Sequence, residues 1–428
     1  MEQGTRRSTV LVIGAGGFLG RYITAGLRKQ GYRVLCGVRA PRPDVADERR
    51  CDLVGMSNPA DWREALAGVD AVVNAAGILR ESGTQTFEAV HVHGPLTLSY
   101  ACVESGVRRF VQISALGDPR DGEFIASKHR FDSALLSLPL SAVVLRPSVV
   151  YATEGSYGGT SLLRALAALP FGIWVPAAGD WRLQPAAMQD LAEIVTRAID
   201  SDASGVFEVG GPSAISLRDY QGRWREWLRI AGKRVIEVPL ALITPLVWIS
   251  ERIGRGPLGA TMWRMLKRGN VASPDACARV ADAFNVVPRE LDEVLSQHPS
   301  QVQDRWHARL YFLAPLLRVA LIALWVISGV MGLLATATEI ERSIGAAIPH
   351  ALLLAKFAAC VDLAFAVWLV TGWRKRWALM GMALSVVIYT IAFSLLSPSA
   401  WFEPLGGLAK NLVILPALAV MWVLGERR

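Results

Sequence analysis

Cysteine and histidine are scarce in this chain of 428 residues, which has five cysteines and six histidines. No two cysteines form a CxxC pair, and none combines with a histidine at the spacing of a metal site. The sequence therefore predicts no metal centre and no disulfide framework, which fits a reducing compartment. The first apolar stretch, Val10 to Ile13, is far shorter than the core of a secretory signal peptide, so we expect none.

Charged residues are sparse within the apolar runs of the last quarter of the chain, whereas residues 1–235 have the composition of a soluble α/β domain. Overall, 52% of the residues are hydrophobic, and the formal net charge is +8. The basic residues are scattered and gather mainly beside apolar segments, where anionic lipid headgroups attract them. We therefore expect the lipid bilayer to be a partner and nucleic acid not to be one.

A glycine-rich turn follows the first predicted strand. The spacing Gly14-x-x-Gly17-x-x-Gly20 is complete, whereas the alternative register from Gly16 fails at Leu19. In such a turn the first glycine permits the strand-to-helix reversal, the second admits a pyrophosphate, and the third lets the helix pack closely. The N-terminal N–H groups of the helix then face the phosphates.

The second predicted strand, Tyr32 to Arg39, ends without the acidic residue that would accept a ribose 2′-hydroxyl. Arg39 instead suits a 2′-phosphate, so NADP is the preferred cofactor and NAD the alternative. In the competing interpretation, Arg39 and Arg42 are solvated loop charges.

Further polar and small residues follow the later predicted strands, at the edge of a parallel sheet where ligands bind. The acidic residue in Cys51-Asp52-Leu53 suits the adenine, and Asn74-Ala75-Ala76-Gly77 leaves room for a ribose. A fifth strand ends in the hydroxyl of Ser114. The predicted cofactor-binding residues are Gly14, Gly17, Phe18, Leu19, Gly20, Arg39, Asp52, Leu53, Ala75, Ala76, Gly77 and Lys128.

These motifs, together with LRPSVVY at 145–151, resemble the atypical or extended short-chain dehydrogenases. The resemblance covers about residues 8–300 and is strongest to the branch of the NmrA-like proteins and the 39 kDa subunit of respiratory complex I. It implies a Rossmann-like, doubly wound parallel sheet with a small substrate-side domain.

The chain departs from this family at the catalytic motif. Active members carry Tyr-x-x-x-Lys, in which the tyrosine transfers a proton and the lysine binds the nicotinamide ribose. This chain has Phe124 in place of the tyrosine, and it keeps Ser114 and Lys128, which we expect to be the catalytic residues. Three hypotheses remain: hydride transfer is lost, another donor such as Ser114, Ser127 or Tyr151 acts, or a quinone takes its protons from water.

We expect three domains: a nucleotide-binding domain at 1–212, a substrate-side connector at 213–304, and a membrane domain at 305–428. Within the connector, the apolar run 238–249 is too short and proline-broken to span a bilayer, and 262–268 is basic and amphipathic. These two segments either rest on a membrane surface or line an apolar pocket.

Four stretches of membrane-spanning length predict an all-α four-helix bundle: 316–335, 348–371, 377–396 and 405–424. Basic residues lie before the first stretch, in the loop Arg374-Lys375-Arg376 and at the C-terminus, whereas the other loops hold Glu339, Glu341, Arg342 and Glu403. The positive-inside rule therefore places both termini in the cytoplasm of a multi-pass, bacterial-type inner-membrane protein.

Ionisable groups within the predicted spans are costly unless they are paired. Lys356 is expected to extend towards the outer surface or to pair with Asp362. Asp362, Lys410 and Asn411 are expected to form a polar site between helices. The pattern Leu396-Ser397-Pro398-x-x-Trp401-x-x-Pro404-x-Gly406-x-x-x-Lys410-Asn411 resembles the DoxX-like family, which implies a link to quinones or membrane redox complexes.

Two functional hypotheses follow from the sequence. The first is a membrane-anchored oxidoreductase that acts on a quinone or another lipid-phase partner. The alternative is a non-catalytic, nucleotide-bound scaffold, assembly factor or redox sensor of a membrane complex, which Phe124 favours.

Overall fold

The computed structural model describes residues 8–253, 259–344, 350–402 and 408–425. The chain divides into an N-terminal unit, residues 1–308, and a C-terminal unit, residues 309–428. The predicted fold class, a Rossmann-like parallel sheet plus a membrane-type helical domain, is confirmed.

Thirteen strands lie in the described part of the N-terminal unit. They are β1 (Thr9–Ile13), β2 (Arg33–Val38), β3 (Glu48–Arg50), β4 (Ala71–Asn74), β5 (Arg109–Ile113), β6 (Ala142–Pro147), β7 (Val150–Tyr151), β8 (Ile173–Pro176), β9 (Arg182–Leu183), β10 (Ala186–Ala187), β11 (Gly205–Val209), β12 (Ile215–Ser216) and β13 (Val235–Val238). Seven of them form one parallel sheet in the order β11-β6-β5-β4-β1-β2-β3.

The helices of this unit are α1 (Phe18–Lys29), α2 (Arg63–Leu66), α3 (Gly94–Glu104), α4 (Glu123–Leu136), α5 (Gly159–Ala167), α6 (Met188–Asp200), α7 (Leu217–Trp227), α8 (Leu240–Ile253), α9 (Ala260–Arg268), α10 (Ala276–Phe284) and α11 (Leu291–Gln297). Both faces of the sheet are covered, which explains its apolar strands. In β1, Val10 and Val12 pack in one core with α1 and α6. Leu11 and Ile13 point to the opposite face and the core of α3 and α4.

A third core joins segments on both sides of residue 212. Tyr151 and Leu183 pack there with Tyr220 and Trp224 of α7. These segments meet because strands that are far apart in the sequence pair with each other: β8 pairs with β13, and β9 pairs with β12. The substrate-side layer is therefore built from two separate stretches of the chain.

The C-terminal unit is helical, and its first helix begins shortly before it. The helices are α12 (Val302–Leu334), α13 (Ala337–Ile344), α14 (Ala351–Thr371), α15 (Lys375–Leu396) and α16 (Asn411–Leu424). In the described residues, α12, α14 and α15 are long and apolar enough to cross a membrane. Trp325, Leu369, Met382 and Leu418, one from each of α12, α14, α15 and α16, share one core.

The fourth predicted span differs from its expected extent. Residues 405–407 lie outside the described residues, and α16 has 14 residues after a short 3₁₀ turn, Leu408–Lys410. A second 3₁₀ turn, Pro398–Phe402, follows α15, and the indole of Trp401 donates to Ser394 Oγ at 2.9 Å. The chain thus turns back along α15 before α16 begins, so α16 is shorter than its hydropathy indicates.

Candidate functional site: a dinucleotide cradle with a buried lysine

The glycine-rich turn has the geometry predicted from its spacing. Gly14 has φ +77°, which disfavours any side chain, and a Cβ there would lie 2.9 Å from Ala76 N. A Cβ at Gly20 would lie 2.1 Å from Gly14 O, so α1 can pack this closely only with glycine at that position. Gly16, the residue of the rejected register, has nothing within 4 Å of its added Cβ.

The start of α1 faces outward from this turn. Gly17 is its N-cap and makes no side-chain cap, so the N–H groups of Phe18, Leu19 and Gly20 have no partner within the helix. These N–H groups and the helix dipole favour an anion. The turn, which leaves no room for added side chains at Gly14 and Gly20, therefore fits the pyrophosphate of a dinucleotide.

Strand register brings the other predicted contacts to the same sheet edge. Ile13 pairs with both Gly37 and Asn74, so the residues after β2 and β4 lie beside the glycine turn. Asn74 fixes the second of these segments: its Nδ2 donates to Gln112 Oε1 at 2.9 Å, and its Oδ1 accepts from Ala76 N at 3.2 Å.

Arg39 and Arg42, the two arginines that follow the second strand, differ in the structure. Arg42 is occupied by Glu48, with Nη2 to Oε1 at 2.7 Å and a backbone N–H to Oε2 at 2.7 Å. Arg39 is exposed, lies directly after β2, and makes no hydrogen bond or ion pair with the described residues. Arg39 is thus the cation available to a 2′-phosphate.

Asp52 and Leu53 lie after β3 at the same edge. Asp52 Oδ1 accepts from Val54 N at 3.1 Å, which shapes the turn. Leu53 is buried, and a Cβ at Gly94 would lie 2.2 Å from Leu53 O, so this segment is held tightly against α3.

Lys128 is buried at the centre of this edge. Its Nζ donates to Ile113 O at 3.1 Å, and no other acceptor among the described residues takes a hydrogen bond from it. A Cβ at Gly77 would lie 3.3 Å from this Nζ, so the lysine reaches the predicted ribose position. Burial lowers the pKa of Lys128 to about 8.

Ser114 is held by two residues that the sequence analysis did not single out. Its hydroxyl donates to Asp132 Oδ2 at 2.7 Å, and Arg146 Nη2 lies 2.9 Å from the same oxygen. Asp132 is fully buried. Because the proton of Ser114 is directed to this carboxylate, Ser114 presents lone pairs to the site.

His91 is a further buried polar residue that the sequence analysis missed. It lies in a π-helical turn, Glu88–His93, a feature that often marks functional sites. Its Nε2 accepts from Ile78 N at 3.0 Å, so its proton resides on Nδ1, 2.9 Å from Ser127 Oγ. Burial, and then the charge of Lys128, lower the pKa of His91 to about 2, so it is neutral.

Two of the alternative proton donors are occupied or remote. The Ser127 hydroxyl accepts from His91 and donates to Glu123 O at 2.7 Å. Tyr151 is fully buried against Trp224, with ring centroids 5.9 Å apart, and burial raises the pKa of its hydroxyl. Neither can supply a proton at this edge without rearrangement.

Phe124 occupies the place of the missing tyrosine. Its ring lies 5.7 Å from the His91 ring and 6.3 Å from the Phe87 ring, and Lys128 Nζ is 5.9 Å from its centroid. An apolar surface thus borders the buried ammonium.

The polar residues of the C-terminal unit make different hydrogen bonds. Asp362 Oδ2 accepts from Ser328 Oγ at 2.7 Å, and Asp362 Oδ1 is buried without a partner among the described residues. Asn411 Nδ2 donates to Thr390 Oγ1 at 2.8 Å. Lys410 is the N-cap residue of α16.

Lys356 hydrogen-bonds to a backbone carbonyl and not to Asp362, which was the second of the two expectations for it. Its Nζ donates to Leu333 O at 2.7 Å, near the end of α12. A carbonyl that lacks an intrahelical partner attracts a cation, as expected at a helix C-terminus.

Each half of the chain matches a known protein family. Residues 10–210 match the NAD dependent epimerase/dehydratase family, and residues 322–422 match the DoxX-like family. The chain joins a domain of the first family to a DoxX-like domain. The two resemblances predicted from the motifs are thereby confirmed.

Relatives of the dehydratase-family domain include a respiratory subunit and a reductase. The 40 kDa subunit of NADH-ubiquinone oxidoreductase from Neurospora crassa is 26% identical over 59% of this chain and 69% of that subunit. The divinyl chlorophyllide a 8-vinyl-reductase of Zea mays is 27% identical over 58% of this chain and 66% of the reductase. The chain thus spans about two thirds of these relatives.

Solved structures support the fold. The Bordetella bronchiseptica enzyme WbmG, determined in complex with NAD and UDP, has a TM-score of 0.52 at 15% identity, covering 68% of this chain and 94% of that enzyme. This likeness shows the fold of the N-terminal unit alone.

Proposed function

We propose that the chain is a membrane-anchored oxidoreductase that uses NADP(H) and exchanges reducing equivalents with a quinone or another lipid-phase partner. The observation that carries this proposal is Lys128. Its ammonium is buried, has one acceptor among the described residues and lies near Gly77, where we expect the ribose to bind. Keeping a cation in such a place is costly unless it has a ligand to bind.

The residues present fit the dinucleotide. Gly14, Gly17 and Gly20 leave the turn open to a pyrophosphate, and Lys128 has N–H groups for ribose hydroxyls. Arg39 has no other partner among the described residues, which supports the finer proposal that the cofactor is NADP(H).

A quinone is a suitable hydride acceptor for a site that lacks the catalytic tyrosine of the family. The bound nicotinamide supplies or accepts a hydride. A quinone that takes the hydride needs one further proton to become a quinol, and that proton comes from water, so Phe124 is no obstacle. Lys128 holds the ribose and adds positive charge, Ser114 offers lone pairs, and the Phe124 ring keeps one side of the site apolar.

The alternative function is a nucleotide-bound scaffold, assembly factor or redox sensor of a membrane redox complex. Phe124 favours it, because the ring removes the proton donor of active family members. The similarity to a respiratory subunit supports a membrane complex as partner.

The deciding experiment uses the full chain in lipid nanodiscs. Extracted nucleotide is identified, and quinone-dependent oxidation of NADPH is measured for the wild type, Lys128→Met and Lys29→Met. Lys29 is an exposed lysine in the last turn of α1 and serves as the matched control. We expect Lys128→Met to lower nucleotide affinity and turnover by at least about tenfold, which is about 1.4 kcal/mol.

The two functions give different outcomes. Turnover lost only in Lys128→Met supports the oxidoreductase. Stoichiometric nucleotide without oxidation by any quinone refutes the oxidoreductase and supports the scaffold.

We also propose that the protein lies in a bacterial-type inner membrane with both termini cytoplasmic. Basic side chains gather at one end of the C-terminal unit: Arg318 Nη2 lies 3.2 Å from Val370 O, and Arg376 lies over the Trp422 ring at 5.5 Å. Glu403 and the terminal Arg427 and Arg428, on which the topology prediction also drew, lie outside the described residues.

Cysteine labelling in intact cells tests this topology. A cysteine at Arg374 should be protected from an impermeant reagent, and one at Thr338 should react. The reverse pattern refutes the orientation. A tag after α16 tests the short fourth helix, whose 14 residues span about 21 Å at the rise per residue of a helix. Accessibility of that tag from outside would mean that α16 does not cross.

A further inference from the structure

Helix α8 exposes a large apolar surface that no other described segment of the N-terminal unit covers. Leu242 is 63% exposed, Leu246 57%, Trp248 59% and Ile249 44%. At 100° per residue, these side chains lie on neighbouring parts of one face, whereas Val247, 5% exposed, points to the opposite side. Soluble surfaces rarely carry such a patch without a partner.

The surroundings of this face have the character of a headgroup region. Arg252 lies over the Trp248 ring, with its guanidinium carbon 4.6 Å from the ring centroid. Residues 240–270 contain five basic residues and one acidic residue. Tryptophan and arginine beside an apolar helical face are the composition of an interfacial helix, and the basic excess complements anionic lipid.

Helix α8 is connected to the candidate site on one side. Arg80 Nη1 donates to Ser250 O at 3.1 Å, and Arg80 Nη2 lies 4.0 Å from Glu251. Arg80 follows the Gly77–Ile78 segment that borders Lys128 and His91.

Helix α9 provides a second connection. Glu251 accepts from Ala260 N at 2.8 Å, which ties α8 to the start of α9. Arg264 Nε donates to Asp121 O at 2.5 Å, and Arg268 pairs with the Asp121 carboxylate at 2.8 Å. Asp121 lies two residues before α4, the helix that carries Phe124 and Lys128.

We propose that the apolar face of α8 docks on the anionic surface of the membrane that holds the DoxX-like domain. The face inserts at headgroup depth, Trp248 and Arg252 lie at the boundary, and the segments bordering the site are brought to the lipid surface. The basic, amphipathic α9 does not insert, because its Arg264 and Arg268 are engaged with Asp121. This docking does not depend on whether hydride transfer occurs.

The test places a fluorescent nitrobenzoxadiazole label on single cysteines of the full chain in nanodiscs. The accessible Cys36, Cys277 and Cys360 are first replaced by serine. Leu246→Cys reports on α8, and Val287→Cys, which is 76% exposed in the same unit, is the matched control. The nanodiscs contain phosphatidylcholine and phosphatidylglycerol at about 3:1, with and without doxyl-labelled acyl chains.

We expect doxyl lipid to quench the label at position 246 at least about twofold more than the label at 287. The quenching should weaken in nanodiscs of phosphatidylcholine alone and in an Arg252→Glu background. Equal quenching at both positions overturns the proposal. A label at 246 that is shielded from water but not quenched also overturns it, because a protein surface then covers α8.

Discussion

Replacement of Arg39 should change which nucleotide the protein binds. Arg39 is exposed at the end of β2, two residues beyond Gly37, which pairs with the last residue of β1. A hydrogen bond to a charged group is worth about 1.5 to 3 kcal/mol, and exposure puts this one at the lower end. Arg39→Ala should therefore weaken NADPH binding about tenfold and leave NADH binding unchanged.

The charge-reversed variant should go further. In Arg39→Asp the carboxylate repels a 2′-phosphate and can accept a hydrogen bond from a ribose 2′-hydroxyl. We expect a preference for NADH over NADPH. Because the interaction of Arg39 is exposed, the wild-type preference for NADPH should shrink as salt increases.

Arg42→Ala is the matched control. It removes an arginine three residues away whose guanidinium is paired with Glu48. Calorimetric titration of each variant in nanodiscs with NADPH and NADH measures the preference. Equal affinities for the two nucleotides in the wild type, or a loss of preference in Arg42→Ala with none in Arg39→Ala, would refute the assignment.

Four further predictions concern the same site. Gly20→Ala should abolish nucleotide binding, because its Cβ would lie 2.1 Å from Gly14 O. Gly16→Ala is the control, since it has open space around its Cβ and should retain the fold. Equal nucleotide affinity in both variants would contradict this packing. Phe124→Tyr should gain weak NADP-dependent alcohol oxidation that rises with pH, and robust oxidation by the wild type would show another proton donor. Nucleotide affinity should fall as pH rises through about 8, where Lys128 loses its proton, and Lys128→Met should remove this dependence. Lys128 should affect the free energy of unfolding in the opposite sense. Its contribution to that free energy should rise from about pH 8 towards 10.5, because Lys128 keeps its proton to a higher pH in the unfolded chain than in the folded one. A fall in melting temperature over this pH range would contradict the burial of Lys128.

The backbone of the site was predictable from sequence because its constraints are local. The spacing of Gly14, Gly17 and Gly20 reflects contacts within one strand, turn and helix, and the structure has the packing that this spacing implies. The role expected for Lys128 came only from the resemblance to the Tyr-x-x-x-Lys motif. The pairing of Arg42 was not predictable, because its partner Glu48 comes from the next strand.

The side-chain network behind the site could not be read from spacing. Ser114 is oriented by Asp132 and Arg146, which are 18 and 32 positions away along the chain and meet it only through sheet register. His91 is presented by a π-helical turn, and such a turn has no hydrophobic period of its own. The sequence offered only the run His91-Val92-His93 before Gly94-Pro95.

The membrane half shows why polar residues in apolar helices are hard to pair by sequence. Lys356 and Asp362 lie six residues apart on one helix, about 9 Å apart along its axis and on different sides, so they do not face each other. The lysine lies near the end of α12, where Leu333 O accepts from it at 2.7 Å. Asp362 instead faces Ser328 on α12, because the residues around it on α14, Ala359 and Ala366, are buried in the bundle. A hydropathy pattern does not show which backbone carbonyl at a helix end will accept a hydrogen bond from a lysine. The carboxyl group thus retains one oxygen without a partner among the described residues, and an intramembrane acid in that state is where proton or ligand exchange would be sought.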